Sequence, residues 1–514
     1  MSAGSGEVRF NFPPLERRGV ILGLRGGPLA TMVGGAVAAV GALRVLHGVP
    51  GVVAALVLLA GVTAIACWPL GGQALVCWIP TVTAWLHRRQ GQPHLDRAPL
   101  DGAISVPATV AVAPPTAGGR ACRSASVRGQ GGRPAEGRSE WRRSPTAPAG
   151  LRLMAAPSFP GEPEIGVVED LVARSWAAVL PVKGSGLSLL GAHEQRRRLG
   201  AWGAALAGAA RAGSAVRRLQ WVEQSRPADP VALQRSALMA AGPEAARDSY
   251  LAVVDAEAPS ALDRRAYLVV SVRSPGALRL RPMPMSLLND MLRREVRLLR
   301  GQMCAAELEV GEALDPGALS ATLRAACDPT RPARAGTGPG LASPLGAWPA
   351  AVDERWAALR VDGAWQATYW VSEWPRLPVG PDVLGPLLLG GTARTVAVTM
   401  APIQADRAVR EVQSARTAAL ADEALRSRAG FIDTVQRRRE AEGIRRRESE
   451  LAEGHADYRY SGYVAVWGAT PDLLAEACAE VEQAARQSHL VLRRLYGRQA
   501  EARAWTLPVG RGLS

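Results

Sequence analysis

LATMVGGAVAAVGALRVLHGVPGVVAALVLLAGVTAIACW, residues 29–68, is the stretch from which the rest of the chain is read. Leu29 to Leu43 carries no charge, and only Arg44 interrupts the run before Val45 and Leu46. Val52 to Trp68 is apolar or small throughout. About 20 apolar residues cross a bilayer core of roughly 30 Å, and each run approaches that length. Neither has the polar face that a helix on a soluble protein shows to water. Arg44 would cost about 2.5–3.5 kcal/mol at a helix centre, but at a helix end its side chain can reach the headgroups. Only His47, Gly48, Val49 and Pro50 separate the runs, room for a tight turn. The expectation is a transmembrane hairpin over 27–68.

The flanks orient it. Arg17, Arg18 and Arg25 precede the hairpin, and Arg88 and Arg89 follow it. Positive charge is retained on the cytoplasmic side, so segment 1–26 and the bulk of the chain are expected there, in a multi-pass protein of the inner membrane with both termini cytoplasmic. A cleaved signal peptide is the competing reading; the late start and the second span that follows at once argue against it. Between 69 and 89, QALVCWIPTVTAWL (73–86) brings Trp78 and Trp85, residues of the kind that populate membrane interfaces. An interfacial helix is preferred there over a third span.

Beyond it the composition changes. Stretches such as APPTAGGRA and GQGGRPAEGR lack periodicity and cannot bury enough apolar surface to offset chain entropy, which predicts a disordered Pro/Gly/Arg-rich linker over 90–160. Patterning then resumes. Alternating runs at 165–168, 175–182, 216–222 and 266–272 predict strands, and 194–210 and 286–300 predict helices. Asp315-Pro316 reads as a cap opening another helix. This alternation predicts an α/β domain over 161–330. After a Pro/Gly-rich connection, strands at 364–373, 395–400, 458–467 and 490–496 and a helix opened by Thr470-Pro471 predict an α+β domain over 350–514, ferredoxin-like. A helical hairpin over 407–454 projects from it, with Arg437, Arg438, Arg439, Arg445, Arg446 and Arg447 interleaved with glutamates. The fold class is therefore α+β.

The net charge of +15 comes almost wholly from arginine, since Lys183 is the single lysine. That balance fits anionic lipid or nucleic acid, and equally a GC-rich genome. The six cysteines form no CxxC, and no disulfide framework is expected. Lys183 sits in PVKGSG, so GxxxxGK[ST], the loop that cradles nucleotide phosphates, is absent from the sequence. GxSxG is absent too, His193-Glu194 lacks the second histidine of HExxH, and the six histidines show no metal-ligand spacing. No catalytic, cofactor-binding or metal residue is assigned. Glu169-Asp170 is read as a surface turn, and Trp365, Tyr369 and Trp370 as core before stacking platform.

NFPPLERRGVILGLR (11–25), ATYWVSEWPR (367–376), AVREVQSARTAALADEALRSRAGF (408–431), YRYSGYVAVW (458–467) and WTLPVGRGL (505–513) together resemble an actinobacterial family of secretion-associated membrane proteins. That family is conjugative type IV-like and sometimes labelled type VII component E-like. The 395–510 stretch also resembles the non-catalytic N-terminal region of the large type IV secretion ATPase. The resemblance implies a membrane-docking part without a motor, and it carries over no catalytic residues.

The functional expectation is a non-enzymatic structural subunit of a secretion or conjugative transfer apparatus. It would sit in the lipid bilayer, dock a separate motor ATPase and other membrane subunits, and form a homo-oligomer. Arg437–Arg439 and Arg445–Arg447 form the candidate docking arm. The rival is a membrane-tethered nucleic-acid-binding protein, whose affinity would fall steeply with salt.

Overall fold

The computed structural model describes Phe12 and residues 26–45, 48–67, 69–70, 73–74, 78–91, 146–156, 163–184, 186–239, 243–257, 261–273, 285–329, 344–428 and 435–513. Arg17, Arg18 and Arg25, and most of the expected linker, lie outside them. Two helices come first, α1 (Gly26–Val45) and α2 (Val49–Cys67). They lie against each other, and a Cβ on Gly35 would fall 2.5 Å from Val62 Cγ1. Small residues such as Gly35 permit that approach. Counting only residues whose side chains are described, no helix is long and apolar enough to cross a membrane. Helix α2 at its full extent has 19 residues and no charge.

A two-stranded pair, β1 (Pro69–Leu70) and β2 (Gln73–Ala74), precedes α3 (Ile79–Gly91). The helix expected within 69–89 therefore starts only at Ile79, because the paired strands take up the first part.

The remaining elements build one sheet. In chain order they are β3 (Leu151–Ala156), β4 (Ile165–Asp170), β5 (Ser175–Lys183), α4 (Ala192–Ala209), β6 (Val216–Pro227), α5 (Pro230–Met239), α6 (Glu244–Glu257), β7 (Leu262–Arg273), α7 (Met285–Ala305), β8 (Glu309–Val310) and α8 (Pro316–Cys327). There follow β9 (Val352–Glu354), β10 (Leu359–Val361), β11 (Ala364–Glu373), α9 (Gly385–Leu389), β12 (Arg394–Ile403), α10 (Ala405–Arg428), α11 (Val435–Ala452), β13 (Asp457–Gly468), α12 (Pro471–Gln487), β14 (Val491–Arg494) and α13 (Gln499–Thr506). The fold is α+β, with a 12-stranded antiparallel sheet.

Two expectations are corrected here. The segment expected as linker over 90–160 contains β3, which pairs with β4 from Leu151↔Asp170 to Ala156↔Ile165. Its sequence, LRLMAA, is short and follows a Pro-rich stretch, so it gave no period. The blocks expected at 161–330 and 350–514 are also not separate, because β6 pairs with β12 over seven residues, from Arg394↔Ser225 to Met400↔Leu219.

The strand order is β3-β4-β5-β7-β6-β12-β13-β11-β10-β9, with β8 on β5 and β14 on β11. Read from either end it is the same pattern. Each half has three strands in sequence, a helix, a fourth strand, a helical hairpin, a fifth strand, a helix, a short strand and a closing helix. The central strands β6 and β12 run antiparallel, so the halves relate by a pseudo-twofold axis through their junction. Equivalent cross-contacts support it. Near the start of β7, Arg264 donates to the Leu389 carbonyl in α9, 2.9 Å away; at the start of β13, Tyr458 donates to the Leu206 carbonyl in α4, 2.6 Å away.

Side chains alternate across this sheet. Val222 and its partner Ala397 enter a core common to both halves, closed by Leu319 and Leu323 of α8, Trp348, Leu507 and Val509. On the opposite face α4 and α7 cover the first half, with Leu292, Leu299 and Met303 on Leu180 and Val270. Helices α9 and α12 cover the second, with Leu387, Leu474 and Val481 on Val396 and Val464. A C-terminal strap then crosses the junction. Gly510 N–H donates to Gln220 Oε1 at 2.7 Å, Thr399 Oγ1 to the Arg511 carbonyl at 2.7 Å, and Arg511 Nε to Asp170 Oδ2 at 2.6 Å.

Candidate docking surfaces

The two helical hairpins enter between equivalent strands, α5–α6 between β6 and β7 and α10–α11 between β12 and β13. Because β6 and β12 are antiparallel, they leave opposite ends of the sheet. The α10–α11 arm is the longer, and 24 residues of α10 extend about 36 Å. Its root is packed, with Ala408, Val412 and Ala415 buried. Beyond it the described side chains are mostly exposed, Leu420 and Leu425 among them. Arg416 of α10 meets Glu448 of α11 at 2.7 Å, and Arg407 meets Glu411 at 2.8 Å, one turn along.

The candidate arm arginines divide. Arg446 pairs with Glu450 at 2.8 Å, and Arg447 holds Asp457 at the start of β13, its Nε 3.0 Å from Oδ2. Arg447 is thus part of the arm's root, not of a free docking face. Arg438, Arg439 and Arg445 are exposed, and Arg437 lies in the first turn of α11. The shorter α5–α6 hairpin, tied by Gln234 to Asp255 at 2.7 Å, exposes Val231, Leu238, Met239, Tyr250 and Val253.

A further run of arginines, Arg196–Arg198, lies in α4. Arg197 and Arg198 both reach Glu194 at 2.7 Å and both pair with Glu307. Their hydrogen bonds hold the Glu194 carboxyl down to about 2. The aromatic residues of β11 are likewise engaged. Tyr369 is buried and donates to Glu482, 2.9 Å away, while Trp370 donates to Ser461 Oγ at 3.0 Å. Arg493 lies over the Trp370 ring and Arg360 over Trp365. These rings are packing residues.

Glu169 and Asp170, expected as a surface turn, instead end β4, Glu169 half-buried and Asp170 buried, because Asp170 faces Arg511 of the C-terminal strap. Burial would raise Asp170, but hydrogen bonds from Arg511 and from the Ala173 and Val172 N–H groups outweigh it and hold the carboxyl below its ordinary value. Glu169 is raised by burial, partly offset by Arg152 and Trp176. Cys327 and Cys478 are buried, and burial raises both thiols. Among the described residues no three His, Cys, Asp or Glu side chains are grouped to hold a metal ion.

Both flanks of the α1–α2 pair touch the second half of the sheet, a feature the sequence reading missed. Before α1, Phe12 stacks on Trp374 with centroids 5.2 Å apart and meets the edge of Tyr460. After α2, Trp78 packs on Trp356 and Tyr496 at 5.8 and 5.9 Å, and Trp85 meets Trp356 edge-on at 5.4 Å. Arg88 donates to the Gly497 carbonyl and pairs with the buried Glu354 at 3.5 Å. The tryptophans expected at a lipid boundary thus face protein aromatics. Arg88, expected as a membrane flank, has a protein carboxylate; Arg89 lies in the same helix. The missed signal was the density of Trp and Tyr at 356, 374, 460 and 496.

No protein-family model matches the chain, and no curated protein matches it. The resemblance to the secretion-associated family therefore rests on the five quoted stretches.

Proposed function

We propose that this chain is a non-catalytic, membrane-anchored structural subunit of a bacterial secretion or conjugative transfer apparatus, docking a separate motor ATPase at the cytoplasmic face. The observation that carries the membrane part is the outer surface of α1–α2. Val33, Val37, Val40, Val53, Leu56 and Val57 are all more than half exposed. Apolar area left in water costs about 25 cal/mol per Å², and lipid is the surrounding that removes that cost. The full 19 residues of α2 would span about 28 Å. That Phe12 and α3 both reach the same half of the sheet supports a hairpin whose two ends share one side of the membrane.

The docking part is supported by the arms. A sheet with an insertion at the same place in both halves keeps its strand pairing whatever the hairpin does, so the hairpins are free to serve contacts. In each half the order β8-β5-β7-β6 or β14-β11-β13-β12 supports a ferredoxin-like unit with the arm between its second and third strands. Mixed charge on α10–α11 favours orientation and specificity of pairing over raw affinity. Because β12 and β13 pair out to Ile403↔Asp457, residues 404–456 can be replaced by a tight turn. That variant is expected to stay in the membrane fraction and to lose co-purification with a motor ATPase; unchanged co-purification refutes the docking role.

A further inference from the structure

We propose that the hairpin is clamped to the second half of the sheet at both of its ends, so that anchor and sheet form one body and the chain between α3 and β3 carries no load. It rests on the membrane reading of α1–α2. A single covalent link would let the sheet drift from the bilayer by the reach of the linker. The contacts describe something else. Phe12 sits against Trp374 at the end of β11 and Tyr460 of β13, while α3 sits against Trp356, beyond β9, and Tyr496, beyond β14. These are two separate strips of one half, each built on aromatic packing, which combines large buried area with defined ring geometry.

The α3 strip adds charge. Glu354, whose side chain is 5% exposed, pairs with Arg88 and also accepts from Ala500 N–H at 2.9 Å. Gly497 has φ +66, and a Cβ there would lie 2.5 Å from Trp356, so the loop after β14 is shaped around that ring. Among its described residues the first half shows no matching set. The positions after β8 equivalent to the Tyr496 loop read Gly311, Glu312, Ala313 and Leu314, without an aromatic residue. The second half, which carries these contacts, is accordingly the membrane-proximal one.

The test uses the full chain in membrane vesicles, with a specific protease site inserted within residues 100–140 and an affinity tag on the N-terminal piece. After cleavage the C-terminal piece is expected to remain with the vesicles, through a high-salt wash, and to co-purify with the tagged piece in mild detergent. A triple variant, Trp78→Ala, Trp85→Ala and Arg88→Ala, alters only α3 and its approach and leaves the sheet's own residues in place. It is expected to release at least ten-fold more C-terminal piece, with the melting temperature of that piece unchanged. Release of the cleaved unsubstituted protein overturns the clamp, as does equal retention of the triple variant. Should the N-terminal piece itself leave the vesicles, the membrane reading fails, and co-purification in detergent still decides the clamp.

Discussion

Asp170 and Arg511 join the β4–β5 turn to the C-terminal strap, and both side chains are largely buried. Asp170→Asn leaves the guanidinium without its counter-charge and is expected to cost roughly 3 kcal/mol, read by denaturant titration. The pH dependence has a fixed sign. Because the folded carboxyl titrates below its ordinary value, its contribution is complete above the unfolded pKa of about 3.9 and is lost as pH falls through the lower folded value. Thermal melts between pH 6 and 2 should show a steeper acid-side loss for the unsubstituted protein than for Asp170→Asn. Gly510 is the other sensitive residue of the strap. Its φ is +74, and a Cβ would lie 2.2 Å from Ser271 Oγ. Gly510→Ala is expected to cost at least about 1–2 kcal/mol from backbone handedness alone, measurable in the same melts. Little of this was legible in advance. WTLPVGRGL was singled out by resemblance, but nothing in its spacing says that it crosses to the other half.

Individual elements were far more readable. Strand β11 begins and ends where the pattern places it, at Ala364 and Glu373, and α12 opens at the Thr470-Pro471 cue. Asp315 and Thr470 cap their helices as expected, accepting from Ala318 N–H at 2.8 Å and Leu473 N–H at 3.2 Å. Asp315→Ala and Thr470→Ala should each cost about 1 kcal/mol, with loss of neither changing the fold by circular dichroism. The elements missed were short or locally ambiguous: β3, β9 and β10 are too brief for a period to register. Helices α5 and α6 gained no assignment, although Asp229-Pro230 opens α5 with the same cue as Asp315-Pro316, and Asp229 Oδ1 accepts from Val231 N–H at 3.0 Å. The charged arm was visible because its Arg/Glu interleaving needs no core, whereas the division of its arginines into root and exposed surface depends on Asp457, a residue of the next strand.

At the scale of the molecule, the two expected domains are halves of one sheet. No sequence repeat betrays this, because α4 has 18 residues where α9 has five and the arms differ in length and charge. The pairing of β6 with β12 and the strap across it are expected to make the body a single cooperative unit. Removing residues 507–514 takes Leu507 and Val509 from the shared core, each at most 2% exposed. That truncation is expected to cost about 3–6 kcal/mol and to lower one unfolding transition without splitting it; two separated transitions would indicate independent halves.

The apolar hairpin in lipid, with the sheet held beneath it, is best tested by topology in cells. Spheroplasts are treated with protease from outside, and their membranes are then extracted with alkaline carbonate. The account predicts a full-length chain, protected from the protease and recovered in the carbonate-resistant pellet. Digestion of residues 146–513 in intact spheroplasts, or recovery of the chain in the carbonate supernatant, contradicts it.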